Sequence, residues 1–459
     1  MTADIPEPAE RLLTGWGRTA PSRASVYTPC TSQQLHALLS SSPARGVIAR
    51  GLGRSYGDPA QNAGGAVVDM TRLNQVHAFD VQQGIITVDA GLSLDRLMRL
   101  VVPFGWFVPV TPGTRYVTVG GAIACDIHGK NHHVDAGFAS HVPEFELLTP
   151  LGETVHVTPQ HQPELFWATA GGMGLTGIIT TATVQLLRIE TAQVLVDTER
   201  HDDLDALMDA MVASDHAFRY SVAWVDLLAT GRNLGRGVLY SGNHATAADL
   251  GVASADAPLA LPPPARFSVP AGLPLSAIRR STVAPFNAFW FRKSPRRSQG
   301  HPEPMSAFFH QLDHVGYVNR LYGRAGFVQH QFVVPEGAEA TLHRIIKRYS
   351  AFKAPSYLVV LKRMGPQPGL LSFPLAGWTL TVDVPASLEG LGELLDWIDE
   401  QVVEASGRVY LAKDARLRPE LLATMYPRLE EWRAIAAQAD PEHVLRSDLS
   451  RRLGLRPEE

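Results

Sequence analysis

Cysteine is almost missing from this chain: Cys30 and Cys125 are the two in 459 residues, and they lack C-x-x-C spacing. A disulfide framework and a thiolate zinc or redox site are thereby excluded. Excess charge of one sign is missing too, since 41 basic against 45 acidic side chains leave a formal net charge of -4. No global field gathers nucleic acid, so no nucleic-acid partner is expected. No stretch approaches about 18 uninterrupted apolar residues, the length of a membrane-spanning helix. The first thirteen residues carry Asp4, Glu7 and Glu10 and no apolar core, so neither a signal peptide nor a transmembrane segment is expected.

What is present is an ordinary globular composition, 45% hydrophobic and 19% charged, in a chain long enough for two domains. Short apolar runs at Gly46–Ala49, Gly65–Asp69 and Gly84–Val88 alternate with glycine-rich turns and predict strands. Leucines at 92, 94, 97 and 100 behind Ser93 predict a helix within Gly91–Val102. Strand patterns return at Glu144–Leu148, Thr154–Thr158 and Gly177–Leu187, which places the end of a first domain near residue 190. Beyond it, strands are predicted at Gln329–Val334, Ser356–Leu361 and Trp378–Val384, with helices at Glu339–Tyr349 and Leu388–Val403. A further helix is expected at Pro419–Ala437, with another helix start after Asp440-Pro441. The Pro-, Ala- and Ser-rich stretch 251–303, with Pro262, Pro263 and Pro264 in succession, reads as a mobile loop. The fold class is α+β.

Two glycine-rich loops concentrate the candidate chemistry. The segment Arg50-Gly51-Leu52-Gly53-Arg54-Ser55-Tyr56-Gly57-Asp58 follows an apolar strand, so its backbone N–H groups can approach a pyrophosphate. A nicotinamide-binding G-x-G-x-x-G is a poor match, because Tyr56 takes the third glycine's place and Asp58 to Gly65 is a poor helix. The second loop runs from Pro112-Gly113-Thr114 through Thr118-Val119-Gly120-Gly121 to Cys125-Asp126-Ile127-His128-Gly129-Lys130. His128, His132 and His133 fall together here, but Gly129 and Asn131 disfavour the helix that would align them on a metal, and no metal is expected.

Read from the residues alone, Lys413 is a surface lysine or a desolvated one of lowered pKa. His128 is a proton relay, a substrate-orienting group or a structural histidine. Gln329 and Gln331 share one face of a strand with His330 on the other, and amides there suit sugar hydroxyls. Lys362 and Trp224 read as strand-end and packing residues.

Long segments carry a more specific signal: L-T-G-W-G-R-T-A-P at 13–21, R-G-V-I-A-R-G-L-G-R-S-Y-G-D at 45–58, and V-T-V-G-G-A-I-A-C-D-I-H-G-K-N-H-H at 117–133. L-F-W-A-T at 165–169, G-L-T-G-I-I at 174–179, A-K-D at 412–414 and S-D-L-S-R-R-L at 447–453 extend it to the C-terminus. The chain resembles the FAD-linked oxidases of the vanillyl-alcohol-oxidase type, and among them the branch acting on decaprenylphosphoryl-β-D-ribose. The resemblance implies a two-domain, PCMH-type FAD-binding fold: an FAD domain at 1–190 completed by 408–459, and an inserted sheet-and-helix substrate domain at 191–407. It implies FAD around residues 50–57, Gly113, Thr118, Val119, Gly120, Gly121, Cys125, Asp126, Ile127, His128, Ile179 and Tyr410. Tyr56 stands where many relatives attach flavin through histidine, so the FAD is expected to be non-covalent.

The same resemblance implies Lys413, His128, Gln329 and Gln331 as catalytic residues and Lys130, Trp224, Lys362, Thr379 and Thr381 as the substrate pocket. Thr379 and Thr381 replace the family's asparagine and its inhibitor-trapping cysteine, so covalent trapping is expected to fail. The implied reaction is oxidation of the 2′-hydroxyl of decaprenylphosphoryl-β-D-ribose to the 2′-keto sugar, the first half of epimerisation to the arabinose donor of cell-wall arabinan. An NADH-dependent keto-reductase would be its partner. The basic and aromatic cluster Arg279, Arg280, Phe286, Phe289, Trp290, Phe291, Arg292, Lys293, Arg296 and Arg297 suits anionic lipid headgroups. A cytoplasmic or envelope-associated protein peripheral to the membrane is therefore expected. The alternatives are an alditol or aldonolactone oxidase acting on a soluble sugar, and a catalytically silent flavoprotein scaffold.

Overall fold

The computed structural model describes residues 5–41, 43–251, 259–261, 263 and 267–456. Three sheets carry the architecture. Strands β1 (Ala9–Leu13), β2 (Ser22–Tyr27), β3 (Val47–Arg50) and β4 (Ala66–Asp69) form the first, in the order β1-β2-β4-β3 with β4 parallel to both β2 and β3. The helix Ser32–Ser40, capped by the Thr31 hydroxyl on Gln34 N–H, links β2 to β3 and buries Leu35, Leu38 and Leu39. Each such leucine contributes about 1.5–3 kcal/mol. The C-terminal segment completes this sheet: Val47 and Leu445 pair in parallel, with Val47 N–H on Val444 O at 2.8 Å and Arg446 N–H on Val47 O at 2.9 Å.

The next seven strands are β5 (Val76–Asp80), β6 (Ile85–Asp89), β7 (Trp106–Phe107), β8 (Glu144–Leu148), β9 (Thr154–Val157), β10 (Ile178–Gln185) and β11 (Leu187–Arg188). Five make an antiparallel sheet ordered β5-β6-β10-β8-β9, and β7 pairs with β11. The helix predicted behind Ser93 is Leu94–Val101, with the Ser93 hydroxyl on Arg96 N–H.

Between Arg188 and Gln193 the chain enters the third sheet. Its strands are β12 (Gln193–His201), β13 (Tyr220–Val225), β14 (Gly237–His244), β15 (Arg297–Pro304), β16 (Phe327–Pro335), β17 (Val359–Met364), β18 (Gly377–Pro385) and β19 (Arg408–Val409). They lie in the order β15-β12-β14-β13-β17-β18-β16-β19. The helices Glu339–Phe352 and Leu391–Glu404 cover one face with Leu342, Ile345, Ile346, Leu394, Leu395 and Ile398. The other face of the central strands is turned to the cavity described below.

Regular structure departs from expectation in three places. Part of the stretch expected to be a mobile loop is the helix Arg280–Lys293 followed by edge strand β15; Pro262 and Pro264 lie outside the described residues. The helix expected over Pro419–Ala437 breaks into Pro419–Met425 and Leu429–Ala439 around Tyr426-Pro427, where proline cannot continue the helix. After Asp440-Pro441 no helix starts; Val444 and Leu445 instead give their N–H groups to the Asp440 carboxylate, and the last helix is Asp448–Leu453.

Candidate active site

A cavity of about 590 Å³ lies between the two glycine-rich loops and the open face of the third sheet, within the range of about 300–1,000 Å³ usual for ligand sites. Its loop side is lined by Gly51, Leu52, Gly53, Arg54, Ser55, Tyr56, Gly113, Thr118, Gly120, Gly121, Cys125, Ile127, Ile179 and Tyr410. A Cβ on Gly51 would lie 2.2 Å from the Thr118 hydroxyl oxygen, and Gly53 holds φ at +64°. Gly51 is required because the two loops pass too close for a side chain, and Gly53 because its backbone is left-handed and faces the Arg50 guanidinium. Thr118 caps the short helix Val119–Ala124 by accepting from Gly121 N–H at 3.2 Å. The Arg54 guanidinium stacks 4.0 Å over the Trp16 ring with its buried Nε unpartnered.

Five residues expected at this site stand behind it. Arg50 turns away and donates to Ala60 O at 2.9 Å and Thr14 O at 2.7 Å, bracing the loop from outside. Gly57 packs against the backbone, where a Cβ would meet Asp414 O at 1.8 Å. Val119 is a core side chain. Buried Asp126 accepts from Ser372 Oγ at 2.6 Å and Gln367 Nε2 at 2.7 Å. Buried Thr379 donates to Phe332 O at 2.8 Å and accepts from Gln331 at 3.0 Å. The remaining candidates line the cavity.

Strand parity builds the opposite wall. Gln329 pairs with Asp383 across β16 and β18, Gln331 with Thr381, and Lys362 on β17 with Thr379, so one face carries a polar row inside an apolar sheet. Lys413, on the turn after Tyr410, donates to Gln329 Oε1 and sits 4.4 Å over the Tyr56 ring. Gln329 Nε2 donates to Asp383 Oδ1 at 2.5 Å. Burial lowers the Lys413 pKa to about 8 against the opposing pull of Asp383. Burial also raises Asp383 to about 7, opposed by Gln329, Lys413 and Tyr322.

A second chain of contacts runs Lys362–His128–Gln331–Thr379. Lys362 Nζ is 2.9 Å from His128 Nδ1, and Gln331 Nε2 is 2.9 Å from His128 Nε2. The Thr379 hydroxyl already donates to Phe332 O, so the Gln331 amide hydrogens go to Thr379 and to His128 Nε2. A neutral imidazole then carries its proton on Nδ1 and gives it to Lys362, which must be a free amine. Burial and then the charge on Lys413 hold Lys362 well below its ordinary range. His128 is likewise held well below its usual range, chiefly by burial. Lys130 lies 4.2 Å over the Phe308 ring and is lowered by burial to about 7. Trp224 lines the same end, its indole N–H on Tyr357 O at 2.9 Å.

His132 and His133 do not join His128 around a common point: His132 Nδ1 accepts from Gly365 N–H at 3.2 Å and His133 Nε2 lies 3.2 Å from Phe218 O. Among the described residues no group of three or more histidine, cysteine or acidic side chains could hold a metal.

Two participants escaped the sequence reading. Asp383 could have been found, since it shares strand parity with Thr381 and interrupts an apolar run with a charge. The segment 311–318 closes the mouth, with Asp313 accepting from the Thr114 hydroxyl at 2.7 Å and from Arg115 N–H at 2.8 Å; no periodicity announces it.

Comparison with known proteins agrees with this geometry. A family described as an FAD binding domain matches residues 24–158. The decaprenylphosphoryl-β-D-ribose oxidase of Mycolicibacterium smegmatis is 42% identical over 99% of this chain and 99% of its own. An uncharacterized protein of Streptomyces coelicolor is 43% identical over 79% of this chain and 100% of its own. Cytokinin dehydrogenase 2 of Arabidopsis thaliana is 32% identical over 30% of this chain and 28% of its own. The paired loops, close enough that Gly51 admits no Cβ, and the unpartnered Arg54 Nε fit FAD.

Proposed function

The chain belongs to the decaprenylphosphoryl-β-D-ribose oxidase family, and from that premise we propose that it oxidises the 2′-hydroxyl of decaprenylphosphoryl-β-D-ribose to the 2′-keto sugar. It is an FAD-dependent oxidoreductase acting on a CH–OH group. The loops around Gly51–Tyr56, Gly113 and Thr118–Gly121 hold the FAD, without a covalent bond at Tyr56. When bound, FAD supplies the acceptor for the carbinol hydride.

The observation that carries the reading is the row of Lys413, Gln329 and Gln331 on one wall of a cavity whose other wall is glycine loop, with His128 reaching across from that loop to Gln331. Lys413 takes the proton of the reacting hydroxyl, its pKa brought near the working pH by burial. The faces of Gln329 and Gln331 not bound within the protein orient the ribose hydroxyls. His128, itself held by Lys362, fixes Gln331 from within the cavity, and Lys130 offers a cation to the substrate phosphate.

The prenyl chain leaves through the mouth, where Val315 and Tyr317 are exposed cavity-lining residues and Phe267 pairs beside them through Gly316. Phe286 and Phe289 are exposed on the helix Arg280–Lys293, which ends in Arg292 and Lys293. This apolar and basic rim docks on anionic lipid headgroups, so the enzyme works at the membrane surface in the cytoplasm or envelope. Among the described residues no helix is long and apolar enough to cross a membrane. An NADH-dependent keto-reductase then consumes the 2′-keto product.

The test is product identification. Incubation with polyprenylphosphoryl ribose and an electron acceptor, followed by borodeuteride reduction and mass spectrometry, is expected to place one deuterium at C2 of the sugar. Turnover of free alditols with none of the lipid-linked sugar would overturn the assignment.

A further inference from the structure

Behind the cavity wall, against Gln329, stands a buried carboxylate to which the proposed chemistry gives no task. Asp383 is 3% exposed, stands opposite Gln329 in the β16–β18 pairing, and accepts from the Gln329 amide on Oδ1 and from the Tyr322 hydroxyl at 3.4 Å on Oδ2. Asp313, the carboxylate that does line the cavity, is held by the Thr114 hydroxyl and Arg115 N–H.

An ionised carboxylate offers acceptors and no donor, whereas a carboxamide has one end of each kind. Asp383 therefore draws the NH₂ end of Gln329 to itself and turns the carbonyl toward Lys413, which donates to that oxygen. Were the carboxyl protonated, it could donate to the amide oxygen, and the hold on Lys413 would be lost. We infer that Asp383 is a positioning residue for the oxidation: its carboxylate, acting through the Gln329 carboxamide, fixes Lys413 Nζ in the cavity. This rests on the reading of Lys413 as the proton acceptor.

The charged and titratable groups around the pair are Lys413, Tyr56, Tyr322, Tyr357 and, farther along the wall, Lys362 and His128. Burial pushes all three tyrosines above their ordinary value and holds Lys362 and His128 below theirs, while Lys130, farther along the cavity beside Lys362, is lowered by burial to about 7. The two buried partners titrate as one unit.

Asp383→Asn tests the inference in the flavin-loaded enzyme. The first measurement is the titration of Lys413 by NMR of protein labelled with ¹³C at lysine Cε, the resonance assigned by its loss in Lys413→Arg. Removing the carboxylate is expected to lower the Lys413 pKa by about 1 unit. The second is the acid limb of log kcat, expected to approach a slope of two in the wild type and one in the variant, with kcat down about 10-fold or more and KM within about threefold. Tyr322→Phe, which removes one donor from the carboxylate, is expected to move the acid limb to higher pH and serves if Asp383→Asn does not fold. An unchanged Lys413 titration together with an unchanged limb would overturn the inference. If Lys413→Ala leaves flavin reduction at the wild-type rate, the reading of Lys413 fails instead, and the NMR titration still judges Asp383.

Discussion

The two faces of β16 carry buried polar side chains of similar kind to opposite ends. On one face His330 is closed into the covering helices, with Nε2 2.8 Å from Asp399 Oδ1, Nδ1 3.2 Å from the Tyr349 hydroxyl, and Arg416 bridging Asp399 and Asp396. On the other face Gln329 and Gln331 make bonds to Lys413, Asp383, His128 and Thr379 yet still line an open cavity. Burial alone does not distinguish structure from chemistry. What differs is whether the partners close on one another or leave donors and acceptors facing space for a substrate.

The comparison is broken most decisively at Lys413. Lys413→Met is expected to slow reduction of the bound flavin by substrate about 10²–10⁴-fold, as for loss of a positioned base, with the flavin spectrum and melting temperature near wild type. His330→Ala is expected to do the reverse, costing about 3–5 kcal/mol of stability in denaturant titration by opening a buried network, while the reduction rate per folded molecule stays within about threefold. Gln331→Leu sits between the two. It removes the partner of both His128 and Thr379, and KM is expected to rise about 10-fold, in keeping with about 1–3 kcal/mol for a buried polar group left unpaired.

The pH profile sharpens the same contrast at smaller cost. The proposed roles require a neutral Lys413, lowered by burial to about 8, and an ionised Asp383, raised by burial to about 7, the two titrating as one unit. Each makes the rate at saturating substrate rise with pH, so kcat should climb from about 6.5 to 8.5 and level off, while KM rises as Lys130, lowered to about 7, loses its charge. His128, held well below its ordinary value, stays neutral and adds no limb.

Much of this was legible in the residues because strand parity and glycine placement are local. The parity of 329 and 331, with 330 opposed, holds in β16, and the close approach at Gly51 follows from the spacing of the two loops. Reading which loop residues face the ligand was harder. Arg50, Val119 and Asp126 lie within one or two positions of cavity-lining residues, and a turn of the backbone sends them outward. The helix Arg280–Lys293 was hidden because Pro285 stands inside it and its buried row Val283, Asn287 and Phe291 includes a polar member. Asn287 is buried there because it donates to Asp226 Oδ1 at 2.8 Å, a partner far off in sequence. The mouth formed by residues 311–318 depends likewise on the distant Thr114 and Arg115.

On the proposed reading, the open face of β16 with Lys413 performs the oxidation. Anaerobic stopped-flow bleaching of the flavin by a polyprenylphosphoryl ribose tests it most directly, with Lys413→Met and His330→Ala beside the wild type. The account predicts rapid bleaching in the wild type and in folded His330→Ala, and bleaching slowed at least about 100-fold in Lys413→Met. Bleaching of Lys413→Met at the wild-type rate would contradict it.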